Sequence, residues 1–443
     1  MMNLRNLPLY SLLYCAGSLV ACGDSGEGGN EPNDPPAYVA CEAADETIEF
    51  ESDNLANKVR AELGVSARAI TCGDMATLEE LDATGLQIDS LVGIEHAVEL
   101  RTLVLNSNAI RDLEPLSGLK KLNTLYLSQN EVSDIAPLEP VTTLVTLALD
   151  GNRITNLASL SALISLEALG LSGQQPTGAD KLDDLSPLKT LSSLKHLGLD
   201  GNDLVDVSDL KTLYSLETLS LHNNDISDIS PLGSLPSLTT LVLSRNQIET
   251  IVSLGFLQNL EELRLDENLI TNDALDEMAP LKELQYLNLA QNELTSLQGL
   301  QSFEALITLI ANENQIENVV GINHISDVLN AVSLKQNQIA DIGPLTFVTD
   351  LVDLQLTGNQ IEEIDALRNL EHLKNIYLED NLIKDIEAIV DNANNFPSKA
   401  LGYVMLDQNC LDTSSGSLTS DHITELYTHQ AYVSVDDQKN CAP

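Results

Sequence analysis

The stretch from Leu216 to Leu235, LETLSLHNNDISDISPLGSL, sets the terms for the whole chain. Its apolar residues stand at Leu216, Leu219, Leu221, Ile226, Ile229, Leu232 and Leu235, with Asn224 among them. That spacing follows neither the period of a helix nor the strict alternation of a strand. Shifted by 22 residues, the frame returns as Leu238, Leu241, Leu243, Asn246, Ile248, Ile251, Leu254 and Leu257. A coil of this length has too few leucines to bury any of them alone. The chain therefore folds only by stacking coil on coil.

Written out, the frame is L-x-x-L-x-L-x-x-N-x-I-x-x-I-x-x-L, and it resembles the leucine-rich repeat. The resemblance implies an α/β solenoid, a horseshoe of the 22-residue type with a concave parallel sheet and a return path on the convex side. In L-x-L the two leucines point inward and the residue between them points out of a short strand. The fixed Asn turns inward, where its amide can bond loop backbone that would otherwise be unpaired. Fifteen coils open at Leu78, Leu100, Leu122, Leu144, Leu166, Leu194, Leu216, Leu238, Leu260, Leu284, Leu306, Leu329, Leu351, Leu373 and Leu401. Thirteen keep the Asn, from Asn108 to Asn409; the first coil has Leu86 there and the fifth has Gln174. The array thus runs over residues 78–411. Two coils reach 28 residues, with extra residues at Gln174–Lys181 beside the concave face and at Asp391–Lys399 on the return side.

A length of 443 residues would ordinarily suggest two or three compact domains, but the internal period reads as one continuous array. With no Trp and only five Phe, its core is aliphatic. The formal charge of −45, from 67 acids against 22 bases, excludes nucleic acid and anionic membrane faces as partners. It suits solubility, basic partners or divalent cations.

Residues 1–21, MMNLRNLPLYSLLYCAGSLVA, carry one positive side chain (Arg5), a short apolar centre and small residues before Cys22. They read as a secretory signal, too short in its apolar run to span a membrane. Leu19-Val20-Ala21-Cys22 resembles the lipobox of bacterial lipoproteins. That resemblance implies cleavage before Cys22, lipidation of its side chain and a firm membrane anchor. Gly23, where Asp would favour the inner membrane, implies an outer-membrane destination in a diderm bacterium. Residues 22–39 are Gly-, Pro- and acid-rich and read as a disordered tether.

Residues 40–77 read as an N-terminal cap. Leu55, Val59 and Leu63 share one helical face, Asp53 can cap the start and Gly64 the end. The run DNLANKVRAELG, with ITCGDMATLEELDATGLQIDSLVGIEHAVELRTLVL after it, resembles the helical cap and first coils of internalins. The D-I-x-P-L ends of their repeats are matched by Asp134-Ile135-Ala136-Pro137-Leu138 and Asp228-Ile229-Ser230-Pro231-Leu232. The similarity covers roughly residues 46–411 and implies a non-catalytic surface protein that binds another protein, with adhesion or host contact as a special case. Residues 412–443 read as a C-terminal cap, with a helix placed by Ile423, Leu426 and Tyr427 and a strand around Tyr432–Val435.

Of six cysteines, Cys15 leaves with the signal and Cys22 takes the lipid. Cys41, Cys72, Cys410 and Cys441 remain, two at each end. Fifteen strands stacked at about 4.8 Å span roughly 70 Å. That puts the ends beyond disulfide reach and leaves the pairings 41–72 and 410–441, which need an oxidising compartment. Neither pair has the C-x-x-C spacing of a zinc site.

No Ser or Cys sits in a nucleophile motif and no Gly-rich loop precedes a helix, so no enzyme and no cofactor are expected. Asp200 and His222 occupy equivalent places on adjacent strands and could pair, or form a loose metal site with His196. The ordinary reading is a solvated pair. The candidate binding set on the concave face is Tyr126, His222, Val242, Arg245, Arg264, Tyr286, Ile310, Tyr377 and Tyr403, rich in the side chains that dominate interface energies. Thr102, Ala148, Gly170, Gly198 and Ser220 between them are small or polar. The expected protein is a monomeric, lipid-anchored envelope component with a protein partner and contact with the membrane only through Cys22. A calcium- or glycan-binding envelope component is the alternative. A cytosolic protein resembling phosphatase regulators, whose 22-residue repeats look alike, is opposed by the lipobox.

Overall fold

The computed structural model describes residues 43–65, 68–175, 181–278, 280–322, 325, 328–396, 401–439 and 441. The expected signal (1–21) and tether (22–39) lie outside the described residues, as do Cys41, residues 176–180 of the first insertion and residues 397–399 of the second. The chain divides into two compact units at Asn224/Asp225. In a solenoid each coil touches only its neighbours, so there is no single centre about which the whole could be compact.

The first unit opens with helix α1 (Asp53–Leu63). Ser52, not Asp53, caps it: the Ser52 hydroxyl accepts the Leu55 N–H at 3.4 Å. Asp53 becomes the first helical residue, where its charge suits the positive helix end. Gly64 closes the helix at φ +67°, as expected. Leu55 and Val59 are fully buried, whereas Leu63 is only half-buried. The short helix α2 (Cys72–Met75) follows, with Thr71 and Asp74 forming a reciprocal capping box.

Seven strands come next: β1 (Glu80–Asp82), β2 (Thr102–Val104), β3 (Thr124–Tyr126), β4 (Thr146–Ala148), β5 (Ala168–Gly170), β6 (His196–Gly198) and β7 (Thr218–Ser220). They pair in chain order and in parallel, each register stepping by one coil, as in Leu125 opposite Leu147. The second unit holds β8 (Thr240–Val242), β9 (Glu262–Arg264), β10 (Tyr286–Asn288), β11 (Thr308–Ile310), β12 (Ala331–Ser333), β13 (Asp353–Gln355), β14 (Asn375–Tyr377), β15 (Tyr403–Met405) and β16 (Tyr432–Ser434), again sequential and parallel. These are open leucine-rich repeat sheets. Every expected coil has its strand.

The return path is made mostly of short 3-10 turns, and the D-I-x-P-L motif explains why. Asp134 accepts the Ala136 N–H at 2.8 Å and Asp228 the Ser230 N–H at 2.8 Å, each opening a turn. Pro137 and Pro231 follow in the first turn, where a missing N–H costs nothing. In the fourteenth coil the insertion lengthens this turn into helix α3 (Glu387–Asn395).

The inward Asn does what its spacing implied. Asn152, buried, donates to Leu127 O and Leu149 O, each at 2.9 Å, and accepts the Val132 N–H at 3.0 Å. In the second unit Asn381 repeats the pattern with Leu356 O, Leu378 O and the Ile361 N–H. Gln174 holds the same slot with one extra methylene, reaching Leu149 O and Leu171 O and accepting the Ile154 N–H. The residue just before the slot sits in the left-handed region in coil after coil, from Gly151 (φ +65°) to Arg245 (φ +57°) and Gln408 (φ +55°).

The C-terminal cap corrects the coil count. Past Leu411 comes helix α4 (Leu418–Thr428), burying Ile423 and Leu426; Tyr427, expected on that face, is exposed. Then Val433, Val435 and Gln438 fill the L-x-L-x-x-N frame a sixteenth time. Strand β16 lies parallel to β15, and Gln438 donates to Leu406 O at 2.9 Å and accepts the Leu411 N–H at 3.1 Å. Valines for leucines and Gln for Asn hid this coil from the leucine count. The expected Cys410–Cys441 disulfide ties its end to the previous coil, with the Cα atoms 5.5 Å apart. Cys72 is also disulfide-bonded.

Candidate interaction surface on the sheet

With leucine and isoleucine inside, each strand turns its first and third residues outward. In the first unit these positions are largely small. Ala148, Ala168 and Ser220 are buried despite facing out, and two carboxylates lie beside this floor, Asp150 against Gly170 and Asp200 against Ser220. Asp150 accepts the Ser172 N–H at 2.8 Å and the Ser128 hydroxyl at 3.1 Å. A Cβ added to Gly170 would stand 2.6 Å from Asp150 Oδ2, so only glycine leaves the carboxylate its place. Burial pushes the Asp150 carboxyl above its usual pKa, and the charge of Asp200 adds to the rise.

Asp200 was placed by the repeat beside His222, as an ordinary solvated pair or a loose metal site with His196. Instead it accepts the His222 backbone N–H at 2.8 Å and the Ser220 hydroxyl at 2.5 Å, completing a cross-strand ladder. Burial raises this carboxyl too, against the pull of those bonds. His196 is half-buried and its pKa is lowered by that burial. Among the described residues no group of three or more His, Cys, Asp and Glu converges as a cation site would require. Tyr126, the one aromatic candidate in this unit, stands between Val104 and Ala148 on neighbouring strands.

The second unit carries the larger side chains. Val242 and Arg264 are register partners across β8 and β9. Arg264 lies opposite Asn288, and Asn288 lies opposite Ile310. Arg264 is held on two sides: its Nε donates to Glu262 at 2.7 Å, and its guanidinium sits 5.0 Å over the Tyr286 ring. Val242, Arg264, Tyr286 and Ile310 therefore form one patch. Arg245 is not on a strand; it occupies the left-handed turn after β8 and pairs with Glu267 at 2.7 Å. His222 likewise lies past the end of its strand.

A second patch gathers on β14–β16. The Tyr377 and Tyr403 rings are stacked with centroids 6.4 Å apart, and Tyr432 meets Tyr403 edge-on at 5.9 Å. Tyr403 keeps 51% and Tyr432 61% of its surface exposed. Tyr432 was missed as a site residue because its coil was missed. The Val433-x-Val435-x-x-Gln438 spacing is the signal that places it two residues from Ser434 on the outward face.

Surface ion pairs elsewhere run mostly from coil to coil, as in Lys121–Glu99 (2.5 Å), Lys195–Glu167 (2.9 Å) and Lys384–Glu362 (3.1 Å). Exposed pairs of this kind add little stability. They tie up scarce cations and leave the excess of acids unbalanced.

A family model for leucine-rich repeats (two copies) matches residues 98–140 and 214–255. No curated protein sequence matches the chain. Among solved structures, an internalin (InlF) from Listeria monocytogenes is 31% identical, over 73% of this chain and 94% of that one, with a TM-score of 0.67. A leucine-rich repeat protein of Leptospira interrogans superposes with a TM-score of 0.69 at 20% identity, over 82% and 97% of the two chains. The functional domain of Listeria monocytogenes InlJ, at 23% identity over 83% of each chain, gives 0.63. The last two likenesses concern the fold alone.

Proposed function

The chain belongs to the internalin family of leucine-rich repeat proteins, and from that premise we propose that it is a non-catalytic, lipid-anchored component of a bacterial cell envelope that binds a protein partner through its sheet face. The observation that carries this reading is the patch around Arg264. An Arg and a Tyr already held against each other lose little freedom when a partner docks, and such residues are typical interface anchors. The anchor rests on the lipobox-like Leu19–Cys22, with the mature chain starting at Cys22. Among the described residues no helix is long and apolar enough to cross a membrane.

The test is proximity labelling from intact cells, followed by capture of the labelled partner with the full chain. Arg264→Glu combined with Tyr286→Ala should weaken capture about 30-fold, the equivalent of one hot-spot pair at roughly 2 kcal/mol. Unchanged capture would move the site off this face. Metabolic labelling with a fatty acid reads the anchor: label lost in Cys22→Ser supports it, and a wild-type chain that takes no label removes the lipid from the proposal.

A further inference from the structure

Resting on that reading of the sheet face, we propose that the outward side of β13–β16 docks a cationic segment of a protein partner, its Lys and Arg side chains lying on Tyr377, Tyr403 and Tyr432 among the carboxylates of Asp353, Glu379, Asp407 and Asp436.

The second unit contains a complete version of this arrangement. In β9–β10 a guanidinium lies over a tyrosine ring and bonds a neighbouring carboxylate, all three groups coming from the chain itself. In β13–β16 the rings and the carboxylates are present, but no outward strand residue is Lys or Arg. The cation is the missing third part.

The carboxylates are positioned without being neutralised. Glu379 accepts the Thr357 hydroxyl at 2.8 Å. Asp407 accepts the Ser434 hydroxyl and the Asp436 N–H, both at 2.6 Å. Asp353 accepts the Asn375 amide. All these donors are neutral, so the negative charge persists. Of the cations nearby, Lys439 is bound to Asp380 at 2.7 Å, and Lys374 precedes β14 and is exposed. Two of these carboxylates act on the first ring: after burial, the charges of Asp353, Tyr403 and Glu379 hold the Tyr377 hydroxyl above its usual pKa.

The rings lean on one another, and the strands that carry them are tied together. The Asn375 side chain bridges β13 to β15, its amide on Asp353 and its oxygen accepting the Tyr403 N–H at 3.3 Å. Residue 402 is glycine because a Cβ there would collide with that oxygen. Ring faces and carboxylates both attract cations, and together they favour Lys and Arg over apolar side chains. A second copy of this chain, at a formal charge of −45, is repelled by the same groups.

Anisotropy of a fluorescent nonapeptide of alternating Arg and Lys, titrated with the full chain at roughly 0.15 M salt, tests this. Tyr403→Leu, which keeps apolar bulk but removes the ring, should weaken binding about tenfold, and Tyr403→Phe should retain it. Tyr214→Leu, at an exposed tyrosine in the first unit, should change nothing, which separates the patch from diffuse attraction to an acidic protein. Equal binding by Tyr403→Leu, or by a peptide with citrulline in place of Arg and Gln in place of Lys, overturns the proposal. So does a neutral oligosaccharide that binds the rings while the peptide does not. If the peptide fails but partner capture still depends on Arg264 and Tyr286, the cationic segment falls and the binding face stands. If capture survives every face variant as well, both fall.

Discussion

The sheet of the first unit and that of the second share their inward residues and differ in what stands between them. On β4–β7 the outward places include Ala148, Ala168, Gly170, Gly198 and Ser220, with the Asp150 carboxylate against Gly170 and that of Asp200 against Ser220. On β8–β16 the outward places include the larger Val242, Arg264, Tyr286, Ile310, Tyr377, Tyr403 and Tyr432. The inward positions are constrained by close packing against the coils on either side. The outward ones do not pack into that interior, and except where a neighbour such as Asp150 fixes them, as at Gly170, they are where two stretches of one repeat can diverge. One surface is a polar ladder bonded to itself. The other has such bonds too, from Ser244 and Asn288 to Asp266 and from Ser434 to Asp407, but sets larger side chains beside them.

If the interior is truly common to both, removing its polar fastening should cost the same in each unit. Asn152→Ala in the first and Asn381→Ala in the second each remove three hydrogen bonds, leaving one buried N–H (Val132 or Ile361) without its acceptor and two carbonyls with only the donor from the neighbouring coil. Each should lose roughly 3 kcal/mol or more of stability, measured by urea unfolding followed by circular dichroism. A large difference between the two would break the equivalence.

The next test concerns the first unit's floor. Gly170→Ala should cost about 2 kcal/mol, because the new methyl and Asp150 Oδ2 cannot both keep their places. Ser333→Ala, at the corresponding outward place on β12, removes only a hydroxyl from a half-buried site and should cost clearly less. Equal losses would mean that Asp150 is not what shapes the floor.

The smallest effect is one of pH. Burial raises the Asp150 pKa in the folded state, so over that window the folded chain binds more protons than the unfolded one. Stability then falls as pH rises from the ordinary carboxylate pKa through the raised one. Asp150→Asn should raise Tm by about 1–2 °C at neutral pH, and the gain should vanish below the ordinary carboxylate range. Asp74 runs the opposite way. Its hydrogen bond from Arg68 lowers its pKa, and its contribution is present at neutral pH and lost on acidification. A gain from Asp150→Asn that persists at low pH would show that charge burial is not its cause.

Much of this was legible in the chain as written. The 22-residue frame placed all fifteen leucine-bearing strands, the inward Asn and its bonds, Gly64 as a helix end, and the Cys410–Cys441 pair. It misplaced what depends on single atoms. Ser52 displaced Asp53 as the cap, Asp200 left solvent for a backbone N–H and a hydroxyl, and Arg245 fell in a turn. The sixteenth coil escaped because a leucine count does not register Val433, Val435 and Gln438, although Val433 is buried and Gln438 bonds as the frame's Asn does.

What the amino-acid order determined by itself is the coil and its inward face. A periodic set of side chains that must leave water admits only one stacking, whatever lies outside it. What only the tertiary structure decided is company. Whether Arg264 meets Tyr286, or Tyr377 meets Tyr403 and Tyr432, depends on residues 22 to 29 apart being brought within a few ångströms by strand register, and on rotamers that no repeat frame specifies.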